Sequence, residues 1–190
     1  KDVKRIKNFN YKKVNTPLTF AESCTWADVI KHDNSYKQYK AWHYINVPRD
    51  QTKITAQMCR NECITFAINY HTEQLAKATS NKATQEALMF LGHWLGDIHQ
   101  PLHVSFRSDL GGNKVKVTPF IGNCQNLHWY WDQCLLTPSI FQSPKTNQEH
   151  LALEKYLYHS LSQQLLSMDA NNWHLTPVIE WANESLRLVQ

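Results

Sequence analysis

At 190 residues with 42% hydrophobic content, the chain is long enough for one domain with a substantial core, and no run approaches membrane-spanning length. A formal charge of +4, carried by dispersed lysines, is permissive for a polyanionic partner and too small to diagnose a nucleic-acid surface. Ten histidines and seven tryptophans say more, because both types recur where metals are held or planar ligands stack.

In chain order, Lys1 to Asn15 is basic, polar and aperiodic, and reads as a surface segment. With Lys1 in place of Met and no charged-then-apolar leader, the sequence reads as a processed or trimmed form. Thr16-Pro17 is a good helix start, a capping hydroxyl followed by proline, and the helix is expected to reach about His32. Ala41 to Pro48 is aromatic and β-branched and stops at proline, which predicts an extended segment. In a strand His43 and Ile45 face one way, Tyr44 and Asn46 the other. Glu62 to Thr79 has helical periodicity.

The next helix is the centre of the chain. Ala87, Leu88, Leu91, Trp94, Leu95 and Ile98 recur at helical intervals until Pro101 ends the pattern. His93 and Asp97, four apart, share a face. Gly92 and Gly96 each cost roughly 1 kcal/mol in a helix relative to Ala, so something is expected to pack closely against that face. A bound cation explains an imidazole and a carboxylate projecting together, with His103 just past the proline turn, and a buried His-Asp hydrogen bond is the alternative. All five glycines lie between Gly92 and Gly122.

After the Gly111-Gly112-Asn113 turn, Asn113 to Phe120 alternates as one strand of a small hairpin. Leu127 to Cys134 repeats the earlier arrangement by placing His128 and Asp132 four apart on another helix. Two His-x-x-x-Asp pairs with a histidine between them are hard to dismiss as packing. Glu149 to Met168 reads as a long amphipathic helix, and Thr176-Pro177 starts a final one. His32, His71, His150, His159 and His174 read as ordinary surface or packing residues.

The five cysteines, Cys24, Cys59, Cys63, Cys124 and Cys134, include no two-residue-spaced pair, which argues against a zinc knuckle. The spacing of Cys59 and Cys63 suits a small disulfide-closed turn, and Cys124 and Cys134 bracket His128 and Asp132. Disulfides imply an oxidising compartment, and the odd count leaves at least one thiol free or paired with a residue outside this sequence. Asn183-Glu184-Ser185 matches a glycosylation acceptor. The expected architecture is mainly α-helical, a single domain with a small β hairpin.

Five stretches together resemble the class I zinc-dependent single-strand nucleases, the S1/P1 type, whose helical fold is shared with zinc-dependent phospholipases C. They are TWAD at Thr25 to Asp28, WHYINVP at Trp42 to Pro48, GHWLGDIHQPLH at Gly92 to His103, GGNK at Gly111 to Lys114 and NLHWYWD at Asn126 to Asp132. The resemblance implies three zinc ions. Asp28, His43, His93 and Asp97 would hold one, His103, His128 and Asp132 a second, and Asp97 would bridge to a third. It also implies that the sequence lacks the family's extreme N-terminus, which supplies the third ion's other ligands, and its C-terminal helix.

The implied activity is hydrolysis of single-stranded RNA and DNA to 5′-mononucleotides by metal-activated water attack, with 3′-nucleotidase activity, in a secreted or periplasmic protein. Lys31 stands where relatives often have Arg, and is expected to contact the phosphate. Tyr44 matches the aromatic that stacks on a base, Asn46 stands where some relatives have Asp, and Asn113 shapes the cleft wall or merely the turn. Substrates are single-stranded nucleic acid and nucleotides, with no stable protein partner expected. The alternatives are a zinc-dependent phospholipase C and a metal-stabilised relative without turnover; the Trp42 and Asn126 segments favour the nuclease.

Overall fold

The computed structural model describes residues 20–118, 124–135, 155–156, 159–164, 166–168 and 176–190. The expected surface segment at Lys1 to Asn15 and the Thr16-Pro17 helix start lie outside them. The chain divides into two compact units, Lys1–Arg107 with Val178–Gln190, and Ser108–Pro177.

In the first unit the leading helix is broken rather than continuous. α1 (Phe20–Ser23) and α2 (Trp26–Ile30) are separated by Cys24 and Thr25. The Thr25 hydroxyl donates back to the Glu22 carbonyl at 3.0 Å, the local bond with which threonine competes against a regular helix. Trp26 is thereby turned into the core, 3% exposed.

A ten-residue 3-10 segment, Asn34–His43, follows, its first turn capped by Asp33, which accepts from the Ser35 amide at 2.8 Å. Three residues per turn eclipses Tyr36, Tyr39 and Trp42 on one face, and this explains why so long a 3-10 run persists. The rings pack in sequence, Tyr36 on Tyr39 at 5.9 Å and Tyr39 on Trp42 at 4.5 Å, and the first two also meet Phe90. The extended segment expected from Ala41 is therefore shorter, β1 being Ile45–Val47. The expected alternation holds: His43, Ile45 and Val47 are buried, Tyr44 is exposed and Asn46 half-buried.

β1 pairs in parallel with β2 (Val104–Phe106), with Ile45 opposite Val104, Asn46 opposite Ser105 and Val47 opposite Phe106. A parallel pair needs a crossover. It is made by α3 (Ala56–Cys59), α4 (Ile64–Lys77) and α5 (Asn81–His99). Ile64, Ala67 and Ile68 of α4 pack with Met89, Phe90, Trp94 and Ile98 of α5 in one core. Cys59 and Cys63 form a disulfide around Arg60 and Asn61, both in the left-handed region at φ 49° and 61°.

The last helix, α7 (Val178–Arg187), closes this core with Ala182 and Leu186. Asn183 is 4% exposed; its side chain accepts from the Ile54 amide at 2.7 Å and donates to the carbonyls of Ile54 and Ile179. The glycosylation reading of Asn183 is thus corrected, because a buried, fully bonded amide presents nothing to a glycosyltransferase.

In the second unit, Leu110, Gly111 and Gly112 have φ of 55°, 62° and 81°, a left-handed run that the glycine pair permits. Among the described residues the expected hairpin shows an antiparallel bridge between Lys116 and Asn126, and its strand residues from Pro119 lie outside the described ones. The minor β element is the parallel pair in the first unit instead. The sequence period shows that a strand exists, not which partner it takes.

α6 (Leu127–Trp129) continues into a π-helical turn, Tyr130–Cys134, with Cys134 bonded to Cys124. Most of the expected helix from Glu149 lies outside the described residues. Residues 155–156, 159–164 and 166–167 within it are helical. His150 and His174 also fall outside; His159 and His32 are exposed.

Candidate metal centre

Five of the sequence-selected residues converge in the first unit. Asp28 comes from α2, His43 ends the 3-10 segment, His93 and Asp97 lie on adjacent turns of α5, and His103 ends the short 3-10 turn Pro101–His103. The α5 helix stops where required, since the Gln100 side chain accepts from the Leu102 amide at 2.6 Å and the Gln100 amide donates to the Asp97 carbonyl.

Asp97 is central. Its Oδ2 lies 3.0 Å from His43 Nδ1, 3.0 Å from His93 Nε2 and 3.5 Å from His103 Nδ1. His43 Nδ1 and His93 Nε2 are themselves 3.0 Å apart, and Asp28 Oδ1 stands 3.7 and 3.8 Å from them. Below lies Trp94, fully buried and edge-on to both rings, with centroids 4.7 Å from His43 and 5.3 Å from His93.

The outer nitrogens set the protonation of the inner ones. A main-chain carbonyl can only accept, so His93 Nδ1–H donates to Cys24 O at 2.7 Å and leaves Nε2 with its lone pair facing Asp97. Two electron-rich atoms 3.0 Å apart repel unless a positive charge lies between them. Without a metal that charge is a proton on His93. Burial lowers its pKa, but the hydrogen bond to Asp97 and the charges of Asp97 and Asp28 outweigh burial and raise it.

His43 goes the other way, lowered because burial dominates over Asp97 beside it. Burial also works to raise Asp97, yet the hydrogen bonds from His103, His43 and His93 hold its carboxyl well below the usual range. His43 Nε2 is buried with no hydrogen-bond partner among the described residues.

The donor set fits a divalent metal. Asp28, His43 and His93 offer ligand atoms all within 4.8 Å of one another. Ligands of a tetrahedral zinc at about 2.0–2.1 Å stand roughly 3.3 Å from each other. The observed separations of 3.0, 3.7 and 3.8 Å bracket that spacing. Hydrogen bonds from the second ring nitrogen to a carbonyl are the usual way a ligating histidine is oriented.

His103 shows the same device, Nδ1–H donating to His43 O at 2.8 Å. In the second unit His128 Nδ1–H donates to Gly111 O at 2.7 Å, and its Nε2 lies 3.5 Å from Asp132 Oδ2 in the π-helical turn. The second His-Asp pair is therefore formed as expected.

Residues 2–190 match the S1/P1 nuclease family. The chain belongs to that family. It is 32% identical to Endonuclease 5 of Arabidopsis thaliana over 171 residues, covering 81% of this chain and 57% of that protein. Nuclease S1 of Aspergillus oryzae is 34% identical over 117 residues, 59% of this chain and 40% of that one. Nuclease P1 of Penicillium citrinum is 28% identical over 183 residues, 89% of this chain and 66% of that one. The chain spans about half the length of the first Arabidopsis relatives it matches, 51% to 57%.

Set in this S1/P1 frame, the remaining selected residues divide. Lys31 Nζ is bound to Asp28 Oδ1 at 2.8 Å, the oxygen that also faces the two imidazoles. Tyr44 is 43% exposed with its carbonyl accepting from the Ile64 amide, so the disulfide-closed start of α4 holds its backbone. Asn46 Oδ1 is buried with no hydrogen-bond partner among the described residues. Asn113 Nδ2 donates to Leu110 O at 2.9 Å, the structural alternative for that residue.

Sequence reasoning missed the carbonyls of Cys24, His43 and Gly111, since every residue carries one and none leaves a signature. It also left His71 as ordinary packing. His71 is 3% exposed, accepts from Trp94 Nε1–H at 3.1 Å and is pushed by burial to a pKa of about 4, so it supports the floor of the centre.

Proposed function

We propose that this chain is a single zinc-dependent nuclease domain that hydrolyses single-stranded RNA and DNA to 5′-mononucleotides and also acts as a 3′-nucleotidase. The observation that carries the reading is the Asp97 carboxylate held 3.0 Å from the imidazoles of both His43 and His93, with Asp28 beside them, a donor set that suits a cation. Asp28, His43, His93 and Asp97 are the proposed ligands of one zinc ion. His103, His128 and Asp132 are the proposed ligands of a second on the family pattern, with Asp97 turned toward a third. The imidazole-rich set favours zinc over harder divalent ions.

Bound zinc would supply Lewis-acid chemistry, lowering the pKa of water and neutralising charge on phosphate oxygens. The chain's own residues do the rest. Tyr44, with its ring exposed, offers a stacking face to any unpaired base, and a duplex that hides its bases is excluded without sequence readout. Asn46, half-buried and on the same face of the strand as Tyr44, is the residue proposed to set base preference, its amide both donating and accepting where a carboxylate only accepts. Lys31, paired with Asp28 in this structure, would be free to contact the phosphate if Asp28 held a metal, as a point charge rather than the two-pronged clamp of an arginine.

The two disulfides support a secreted or periplasmic location. Among the described residues no helix is long and apolar enough to cross a membrane.

The test is zinc content by elemental analysis on the natural full-length protein, assayed in parallel for 5′-mononucleotides from single-stranded RNA. About three zinc ions per chain with turnover is the expected outcome. Zinc without turnover would overturn the catalytic reading and leave a structural cluster.

A further inference from the structure

We propose that a cavity between α4, α5 and the 3-10 segment Asn34–His43 binds an uncharged nucleobase or nucleoside, with the buried His71 ring as its inner hydrogen-bond donor. The cavity holds about 320 Å³ and is walled by Tyr39, Tyr70 and His71, with Gln74, Lys77 and Glu86 also lining it. That is many times the roughly 10–15 Å³ that admits one water, and it falls at the small end of ligand pockets, about 300–1,000 Å³. The space suits a single small ring system.

His71 sets what the occupant must offer. Its Nδ1 lies 3.1 Å from both the Ala67 carbonyl and Trp94 Nε1. Trp94 is fully buried and its indole nitrogen can only donate, so Nδ1 must keep its lone pair to receive that bond. The proton of the neutral ring therefore sits on Nε2. Burial pushes the pKa of His71 to about 4, which keeps the ring neutral near neutral pH. The residue is 3% exposed, and no described residue accepts from Nε2–H. Unlike His43 Nε2, this nitrogen is not sealed from solvent, so the N–H reaches the cavity that the ring lines. A buried donor without a partner costs about 1–3 kcal/mol, and an occupant that brings an acceptor recovers it.

The rest of the lining narrows the ligand class. Lys77, its one cationic side chain, is paired with Glu73 at 3.1 Å, and Glu86 adds a carboxylate bonded to the Tyr36 hydroxyl. A phosphate or carboxylate would meet a neutral histidine and a negative charge. An alkyl chain would leave the His71 donor unpaired. A planar ring with acceptor nitrogens or carbonyls pairs with His71, packs among the tyrosine rings, and turns N–H or hydroxyl groups to Glu86 and Gln74. The choice of a nucleoside among such rings rests on the proposed 3′-nucleotidase activity, because hydrolysis of a 3′-phosphate ester leaves one.

The experiment is isothermal titration calorimetry of the zinc-loaded natural protein with adenosine, which carries no phosphate to cleave. Tyr44→Ala is the background, so that the exposed stacking ring does not contribute. Onto it are placed His71→Phe, which keeps a buried ring and removes the N–H, and Ala83→Phe, which fills the cavity from an exposed lining position and leaves the His71–Trp94 bond in place. Tyr44→Ala is expected to bind one adenosine per chain. His71→Phe should weaken that binding about fivefold to tenfold, one hydrogen bond, and Ala83→Phe by more than about tenfold. 5′-AMP and glucose should each bind at least about fivefold more weakly than adenosine.

Absence of adenosine binding to Tyr44→Ala up to about 5 mM, or binding that Ala83→Phe leaves unchanged, would overturn the site. Full affinity in His71→Phe would remove the role of the N–H, and 5′-AMP or glucose binding as tightly as adenosine would remove the ligand class. If His71→Phe fails to fold, Ala83→Phe decides. Cavity-dependent adenosine binding in a protein that turns over no nucleotide would sink the hydrolase reading and leave the site standing.

Discussion

Replacing Gly92 with alanine places a methyl group where the structure has no room, and the effect separates packing from helix propensity. A Cβ at position 92 would overlap Cys24 Sγ and lie 3.0 Å from Phe20 Cζ. Alanine in mid-helix gains roughly 1 kcal/mol over glycine, whereas forcing a methyl group into a filled space costs about 1–3 kcal/mol. The expected net is a loss of about 1 kcal/mol, a fall in Tm of roughly 2–4 °C for a chain of this size.

Gly96→Ala is the internal control, because a Cβ there meets nothing within 4 Å. It should raise Tm by a similar amount. The Gly92 variant should also lose about tenfold to hundredfold in zinc affinity, since the displaced Cys24 carries the carbonyl that orients His93. Thermal unfolding with and without zinc measures both effects. Adding Cys24→Ala to Gly92→Ala removes the overlapping sulfur and should restore at least about 1 kcal/mol, a coupling readable in a double-mutant cycle. If Gly92→Ala raised Tm as Gly96→Ala does, with no coupling to Cys24, the close-approach argument would be wrong.

His71 titrates at its ordinary 6.5 when unfolded and at about 4 when folded. Its full contribution is present above 6.5 and is lost as pH falls toward 4, about 3 kcal/mol in all, because the unfolded chain binds a proton that the fold refuses. Urea midpoints across that range should be flatter in His71→Gln, and parallel curves would refute the assignment. His93→Ala and Asp97→Ala should each abolish hydrolysis; near-wild-type turnover by either removes the assigned centre. Tyr44→Ala should raise KM for nucleotides by the equivalent of about 1–3 kcal/mol with little change in kcat, and an unchanged KM removes the stacking claim. Asn183→Ala should cost about 2–4 kcal/mol by orphaning the Ile54 amide and carbonyl, and mass spectrometry of the natural protein should find Asn183 without glycan.

Helical period carried the central helix well, since α5 runs Asn81–His99 and sets His93 and Asp97 on one face as the spacing requires. The alternation around Tyr44 also survived, because burial follows strand period whichever strand lies alongside. The pairing itself was not legible. β1 and β2 are far apart in sequence and meet only after the α4 and α5 crossover, a tertiary outcome with no local signature. The 3-10 segment escaped notice for a related reason: the three-residue recurrence of Tyr36, Tyr39 and Trp42 is hidden among polar residues and matters only once Phe90 is in place.

At the centre, the imidazoles and carboxylates were readable because few other chemistries put them at that spacing. The expectation of close packing proved right at Gly92, whereas at Gly96 a Cβ would meet nothing within 4 Å among the described residues. Lys31 was chosen because it stands where relatives of the family often have Arg, and its charge is engaged with Asp28, a contact that spacing of three residues on a helix permits but does not require.

The carbonyls of Cys24, His43 and Gly111 that receive the outer nitrogens of His93, His103 and His128 have an evolutionary consequence. A side-chain acceptor can be deleted by one codon change, whereas a peptide oxygen persists through any substitution that leaves the local path of the chain intact. Drift in the identity of residue 24 should therefore be tolerated by ligand orientation. Insertions, deletions and prolines near residues 24, 43 and 111 should not be. Purifying selection on the orientation of each of these histidines then acts on loop length and backbone course more than on the composition of its surroundings.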